Sequence, residues 1–269
     1  MKKYMIRCDI EGVSGVVSPE QAEPGKAEFA FGSRMFMNDL LAMVNGLFDG
    51  GADEVHIYDE HFYGRNIDLS QLPQNVILYC GKPPYRADWG GGLDTSFDGL
   101  LLLGLHSMAL SGELLCHTYE PDIREIYIDD AIVGEIGMEA AIAGYFDVPL
   151  VMVTADSAGV EEAKRLVPGV RGVSVKQSLG EQCAICYPAV QTKQWIREMA
   201  SAVVSDPPSV KPFVTGPNVQ LRVRLNPGDF ADRMCGIYPR YAAENEVIIQ
   251  RDNILEAYSQ YCHMKLSCL

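Results

Sequence analysis

The stretch that decides the fold is KYMIRCDIEGVSG, residues 3–15. An apolar run at residues 4–8 leads directly into Asp9, Glu11 and Gly12, which indicates a buried strand that ends in a polar turn. An amphipathic helical pattern at about residues 27–48 follows, and a second apolar run lies at residues 54–58. A strand, a helix and a strand in this order predict a parallel β-α-β unit.

Later segments extend this pattern. Continuing along the chain, we predict a strand at 100–104, a hairpin at 125–128 and 131–133, helices at 135–146 and 160–167, strands at 148–153 and 170–176, and a helix opening at Pro188. Beyond residue 206 come an alternating strand at 219–225, a strand at 246–250 and a final helix from 254. This predicts an α/β fold: a mostly parallel sheet flanked by helices in three layers. Residues 1–205 form the core, and a smaller α+β part at 206–269 packs on it as one functional unit.

Composition narrows the classes of partner. The 269 residues include 22 Lys and Arg against 36 Asp and Glu, a net charge of −14 without a basic run, which argues against nucleic acid. The longest apolar stretch is too short to cross a membrane, and no signal-peptide core is evident, so we predict a cytoplasmic protein. We therefore expect the eight cysteines to be reduced thiols. This includes Cys183 and Cys186, because a structural zinc site would need a second such pair. The glycine-rich loop at residues 81–92 precedes no helix pattern and is not a dinucleotide loop.

Acidic and imidazole side chains follow the predicted strands. Asp9 and Glu11 are two residues apart and face one side, while His61 and His106 each come directly after a strand. Glu135, at a strand-to-helix junction, could join them. Sites in open α/β sheets form at the carboxyl ends of the strands. A mixed set of nitrogen and oxygen donors suits zinc, and manganese or cobalt less specifically.

Five such donors exceed what one tetrahedral zinc ion with a bound water requires. If one carboxylate bridges two ions, all five donors are used. The sequence therefore predicts a two-metal hydrolytic site. His117 is the candidate proton donor or oxyanion stabiliser. We expect His56 and His263 to be structural, and strand alternation turns Cys8 away from the site, which argues against a thiol nucleophile.

Several short motifs occur together in order. They are Asp9-Ile10-Glu11-Gly12 with Ser14-Gly15, Asp59-Glu60-His61, Gly104-Leu105-His106, His117-Thr118, Gly134-Glu135-Ile136-Gly137 and AGYFDVP at residues 143–149. On these motifs the chain resembles the M55 metallopeptidases, the D-aminopeptidase family. The chain departs from the family pattern at Tyr58, at Glu60 and in the loop at residues 62–68. That loop could line the substrate pocket.

The resemblance implies two zinc ions per chain. Asp9 would bridge them, Glu11 and His61 would complete one site, His106 and Glu135 the other, and His117 would be the further catalytic residue. It also implies an α/β fold and a ring-shaped homo-oligomer, a decamer, that encloses the active sites.

The function expected is that of a zinc-dependent aminopeptidase, which hydrolyses short peptides with N-terminal D-amino acids by a metal-bridged water. The D-preference rests on the resemblance alone. One alternative is a binuclear amidohydrolase for other small amides or peptidoglycan fragments. Another is a non-catalytic binding protein stabilised by metal.

Overall fold

A computed structural model describes residues 1–82 and 86–268; Pro83 and Pro84 of the glycine-rich loop lie outside the described residues. The chain forms two sheets with helices around them. In order, the elements are β1 (Lys3–Cys8), α1 (Pro19–Ala22), α2 (Phe29–Asp49), β2 (Glu54–Asp59), β3 (Val76–Tyr79), β4 (Gly99–Leu105), β5 (Ile123–Ile128), β6 (Ala131–Val133), α3 (Glu135–Tyr145), β7 (Leu150–Asp156), α4 (Ser157–Leu166), β8 (Arg171–Ser178), β9 (Ala184–Cys186), α5 (Ala189–Ser205), β10 (Val219–Leu225), α6 (Asp229–Ile237), β11 (Ala242–Ala243), β12 (Glu246–Arg251) and α7 (Ile254–Leu266).

The larger sheet has the strand order β3-β2-β1-β4-β7-β8-β9. All of its pairs are parallel except the last, in which β9 runs antiparallel to β8. Its central strands carry continuous apolar runs because both faces are covered; β4 and β7 are buried throughout. The predicted α/β class with a mostly parallel sheet is therefore confirmed, and β1 lies near the middle with β2 and β4 as neighbours.

The smaller sheet is antiparallel, in the order β11-β12-β10-β5-β6. Its strand β10 alternates buried apolar with more exposed polar residues, as the sequence pattern predicts for a half-covered strand. The hairpin of β5 and β6 belongs to this sheet, because β5 pairs with β10. The smaller sheet thus takes strands from both sides of residue 206, and the division into 1–205 and 206–269 stays a prediction.

Most predicted elements match to within a few residues. The predicted helix opening at Pro188 begins one residue later, with Pro188 as its N-cap. The short strands β3, β9 and β11 and the helices α1 and α6 were not predicted. All eight cysteines have free thiols in this structure, and their reduced state in the cell stays a prediction. Among the described helices, none has both the length and the apolar character needed to cross a bilayer.

Candidate active site

Three neighbouring strands and one helix start supply the predicted site residues. Asp9 follows β1, His61 lies two residues after β2, and His106 follows β4 directly. Glu135 is the first residue of α3, where the positive end of the helix dipole favours a carboxylate. Because β1 lies between β2 and β4, their carboxyl ends meet at one edge of the sheet and bring these side chains together.

Two glycines allow the turns after β1 and β4 to touch. The amide of Gly12 donates a hydrogen bond to the Gly104 carbonyl at 2.7 Å. A Cβ on Gly12 would lie 1.7 Å from the Leu105 carbonyl oxygen, and Gly104 has a φ of +71° with its Cβ position 2.2 Å from the Asp9 carbonyl oxygen. Only glycine fits at these two positions, so the close approach of Asp9 to His106 depends on them.

A first cluster consists of Asp9, Glu11 and His61, all buried. The Nδ1 atom of His61 lies 2.6 Å from Asp9 Oδ1 and 3.2 Å from Glu11 Oε2. Its other nitrogen, Nε2, donates to the Ala22 carbonyl at 2.7 Å. This hydrogen bond fixes the imidazole ring and leaves Nδ1 facing the two carboxylates.

A second cluster consists of His106, His117 and Glu135. His106 Nε2 lies 3.5 Å from Glu135 Oε1 and 3.5 Å from Asp9 Oδ2, so Asp9 stands between the two clusters. The ring of His117 stacks on that of His106 with centroids 4.1 Å apart, and its Nε2 lies 3.9 Å from Glu135 Oε1. Glu135 also accepts a hydrogen bond from the Tyr119 amide at 2.6 Å.

The electrostatics of both clusters favour added positive charge. Burial acts to raise the pKa of Asp9, but His106 and His61 outweigh it and hold that pKa well below its usual range. Burial acts to lower the pKa of His61, but Glu11 and Asp9 raise it to about 11. The carboxylates of Glu135 and Asp9 likewise raise the pKa of His106 well above its usual value, against the effect of burial.

The donor atoms fit a cation. His106 Nε2 is buried and has no hydrogen-bond partner within the described residues, while its Nδ1 lies 3.0 Å from the Ser107 carbonyl. In each of the two groups, one ligand atom per residue lies within 4.8 Å of the others. Imidazole nitrogens and carboxylate oxygens that converge in this way form the ligand set expected of a zinc-type metal.

The clusters open into a cavity of about 1090 Å³. Phe62 and Tyr63, from the loop after β2, line it and are largely exposed. Buried Arg7 on β1 also lines it; Arg7 forms ion pairs with Glu139 and, at 3.4 Å, with Glu60. Arg7 and Glu139 were not among the predicted site residues, although a charged residue inside an apolar strand is a signal that points to Arg7.

Comparison with known proteins gives a consistent result. The sequence model of peptidase family M55, described as D-aminopeptidase, matches residues 1–261. A D-aminopeptidase of Bacillus subtilis (strain 168) is 29% identical over 263 residues, which cover 96% of this chain and 94% of that protein. Among solved structures, the zinc-dependent D-aminopeptidase DppA from Bacillus subtilis, a self-compartmentalizing protease, superposes with a TM-score of 0.93 at 27% identity, covering 99% of this chain and 97% of that one. The chain therefore belongs to peptidase family M55, the D-aminopeptidases, and is a hydrolase of peptide bonds.

Proposed function

We propose that this protein is a zinc-dependent aminopeptidase that removes N-terminal D-amino acids from short peptides. The observation that carries the proposal is the pair of donor clusters joined by Asp9. The cavity beside them, about 1090 Å³, is large enough for a short peptide but not for a folded protein. The preference for D-residues is supported by the D-aminopeptidase relatives.

We assign the ligands of two zinc ions from the contacts. Asp9 would contribute to both sites, since its two oxygens face His61 and His106 separately. Glu11 and His61 would complete one site, and His106 and Glu135 would complete the other. Zinc is supported by the mixed donor set and by the zinc dependence of the Bacillus subtilis relative.

Zinc ions bound here would supply a water of lowered pKa and polarise the scissile carbonyl. The protein's own part is orientation and proton transfer. His61 and His106 are oriented by backbone carbonyls, and the Tyr119 amide holds the Glu135 carboxylate. His117 lies on the cavity wall, with Nδ1 2.9 Å from the Leu115 carbonyl and Nε2 3.9 Å from Glu135 Oε1. We assign it the role of stabilising the tetrahedral intermediate or protonating the leaving amine.

The assembly belongs to the same proposal. We infer a ring-shaped homo-oligomer, a decamer, that encloses the active sites. The self-compartmentalizing relative, which shares 97% of its length with this chain at a TM-score of 0.93, supports this assembly. Sedimentation velocity on the purified protein tests it: a single monomeric species would refute the enclosed assembly.

The deciding experiment combines metal content with a substrate panel. Protein purified without chelators or a histidine tag should contain about two equivalents of zinc, and His106→Ala should lose much of it. His263→Ala is the matched control, because His263 is exposed on α7 and, unlike its neighbour Cys262, is not one of the described residues that line the cavity. The panel pairs D- and L-amino-terminal dipeptides with N-acetylated versions of each.

Cleavage of only the free-amine D-peptides supports the proposal. Cleavage of the acetylated peptides would instead favour the broader amidohydrolase, and equal cleavage of L-peptides would refute the D-preference. A chain that neither contains zinc nor takes it up on titration would refute the metallopeptidase.

A further inference from the structure

Lys176 lies beneath the loop that carries Glu11. It belongs to β8, next to Asp156 of β7 in the sheet register, and its side chain is fully buried. Its Nζ donates hydrogen bonds to the backbone carbonyls of Glu11 at 2.6 Å and Val13 at 2.9 Å, and to that of Val16. An ammonium group has three donors, so these carbonyls use all of them.

Other contacts hold the same loop at separate points. Residues 9–18 contain no helix or strand, yet most of them are buried. The Gly12 amide donates to the Gly104 carbonyl at 2.7 Å, and Asp39 of α2 accepts hydrogen bonds from the Ser14 amide at 2.8 Å and the Ser14 hydroxyl at 3.0 Å. Buried carbonyls need donors, and here one ammonium supplies three of them at a single point.

The three carbonyls account for the choice of lysine at this position. Burying a lysine costs desolvation, which a methionine of similar shape would avoid, but a methionine would leave the three carbonyls without this donor. The cost is offset through the three carbonyls and through nearby acidic groups, which include Asp156, Asp39 and Glu11. All three carbonyls belong to the residues that fix where Glu11 points.

We infer that Lys176 is a positioning residue for the metal centre: it fixes the backbone of residues 11–16 and thereby places the Glu11 carboxylate opposite His61. The metal part of this inference rests on the proposed function. Lys176 is not among the described residues that line the cavity. Its effect therefore reaches the site only through the loop.

The test is Lys176→Met in the full-length protein. Zinc affinity, measured by competition with a chromogenic chelator, should fall at least about tenfold, the usual effect of losing a group that orients a metal ligand. Amide hydrogen exchange in the peptide covering residues 9–17 should become faster, while far-ultraviolet circular dichroism stays unchanged. If this variant does not fold, Lys176→Gln, which keeps two donors, should show the same two changes to a smaller extent.

Two matched controls separate positioning from general stability. Lys164→Met removes a largely exposed lysine of α4 that pairs with Glu161, and should change neither readout. Leu221→Ala opens the core of the smaller sheet, so it should lower the melting temperature and leave zinc affinity unchanged.

Wild-type zinc affinity in Lys176→Met, or a loss no larger than in an equally destabilised Leu221→Ala, would overturn the inference. If the wild type itself binds no zinc, the proposed function fails. The exchange comparison then still decides whether Lys176 fixes the loop.

Discussion

Replacing Gly12 by alanine tests how the two turns of the active site depend on each other. The new Cβ would lie 1.7 Å from the Leu105 carbonyl oxygen, whereas such contacts do not fall below 3.0 Å. The turns after β1 and β4 must therefore separate by about 1.3 Å. This shift occurs between Glu11 on one side and His106 on the other. It also weakens the hydrogen bond from the Gly12 amide to Gly104.

The size of the effect follows from this displacement. A misplacement of about 1 Å costs a catalytic site roughly 100-fold in rate, equivalent to about 2.7 kcal/mol of transition-state stabilisation. Overpacking in a buried contact costs about 1–3 kcal/mol of folding free energy. We therefore expect kcat/KM to fall about 100-fold and zinc to bind more weakly, while the fold persists with a lower melting temperature.

The assay is hydrolysis of a D-alanine p-nitroanilide at saturating zinc, with thermal unfolding followed in parallel. Gly236→Ala in α6 is the matched control, because an added Cβ there meets nothing within 4 Å. It should keep full activity. Gly12→Ala activity within threefold of wild type would refute the dependence of the site on this contact.

Three further predictions concern the protonation of His61, the protonation of Asp39 and the catalytic role of His117. His61 has a pKa of about 11 and is protonated in the metal-free protein, so zinc must displace a proton when it binds. The apparent affinity for zinc should therefore rise about tenfold per pH unit between pH 6 and 8. Calorimetry in two buffers should detect the released proton. Burial raises the pKa of Asp39 to about 6. Between pH 8 and pH 5 the folded state then takes up a proton that the unfolded state does not. Over this range the free energy of unfolding of wild type, measured in the presence of chelator, should rise by about 1 kcal/mol relative to that of Asp39→Asn. No relative change would contradict the raised pKa of Asp39. His117→Ala should lower kcat by 100-fold or more and retain two zinc equivalents, whereas loss of one equivalent would make His117 a ligand.

Sequence alone was sufficient for the elements with long, regular patterns. The apolar run into Asp9, the amphipathic segment of α2 and the run into His106 predicted a parallel unit with polar residues at its carboxyl edge, and the structure has that unit. Such patterns are local, because hydrophobic period reports which face of one element is buried. The same logic identified Glu135 at the start of α3.

What the sequence could not determine is which distant segments meet. The hairpin of β5 and β6 was recognised as a hairpin, but only its pairing with β10, some hundred residues later, places it in the smaller sheet. No local period encodes that pairing.

The same limit applies to the site. Five donor residues could be named from strand ends, but the 2.6 Å contact of His61 with Asp9, and the place of Asp9 between two clusters, exist only in three dimensions. Lys176 is 165 residues away from Glu11 in the chain and meets its carbonyl at 2.6 Å. The sequence by itself determined the types of chemistry available at the sheet edge. Tertiary packing decided their distances, because contacts between segments far apart in the chain are set by the fold as a whole.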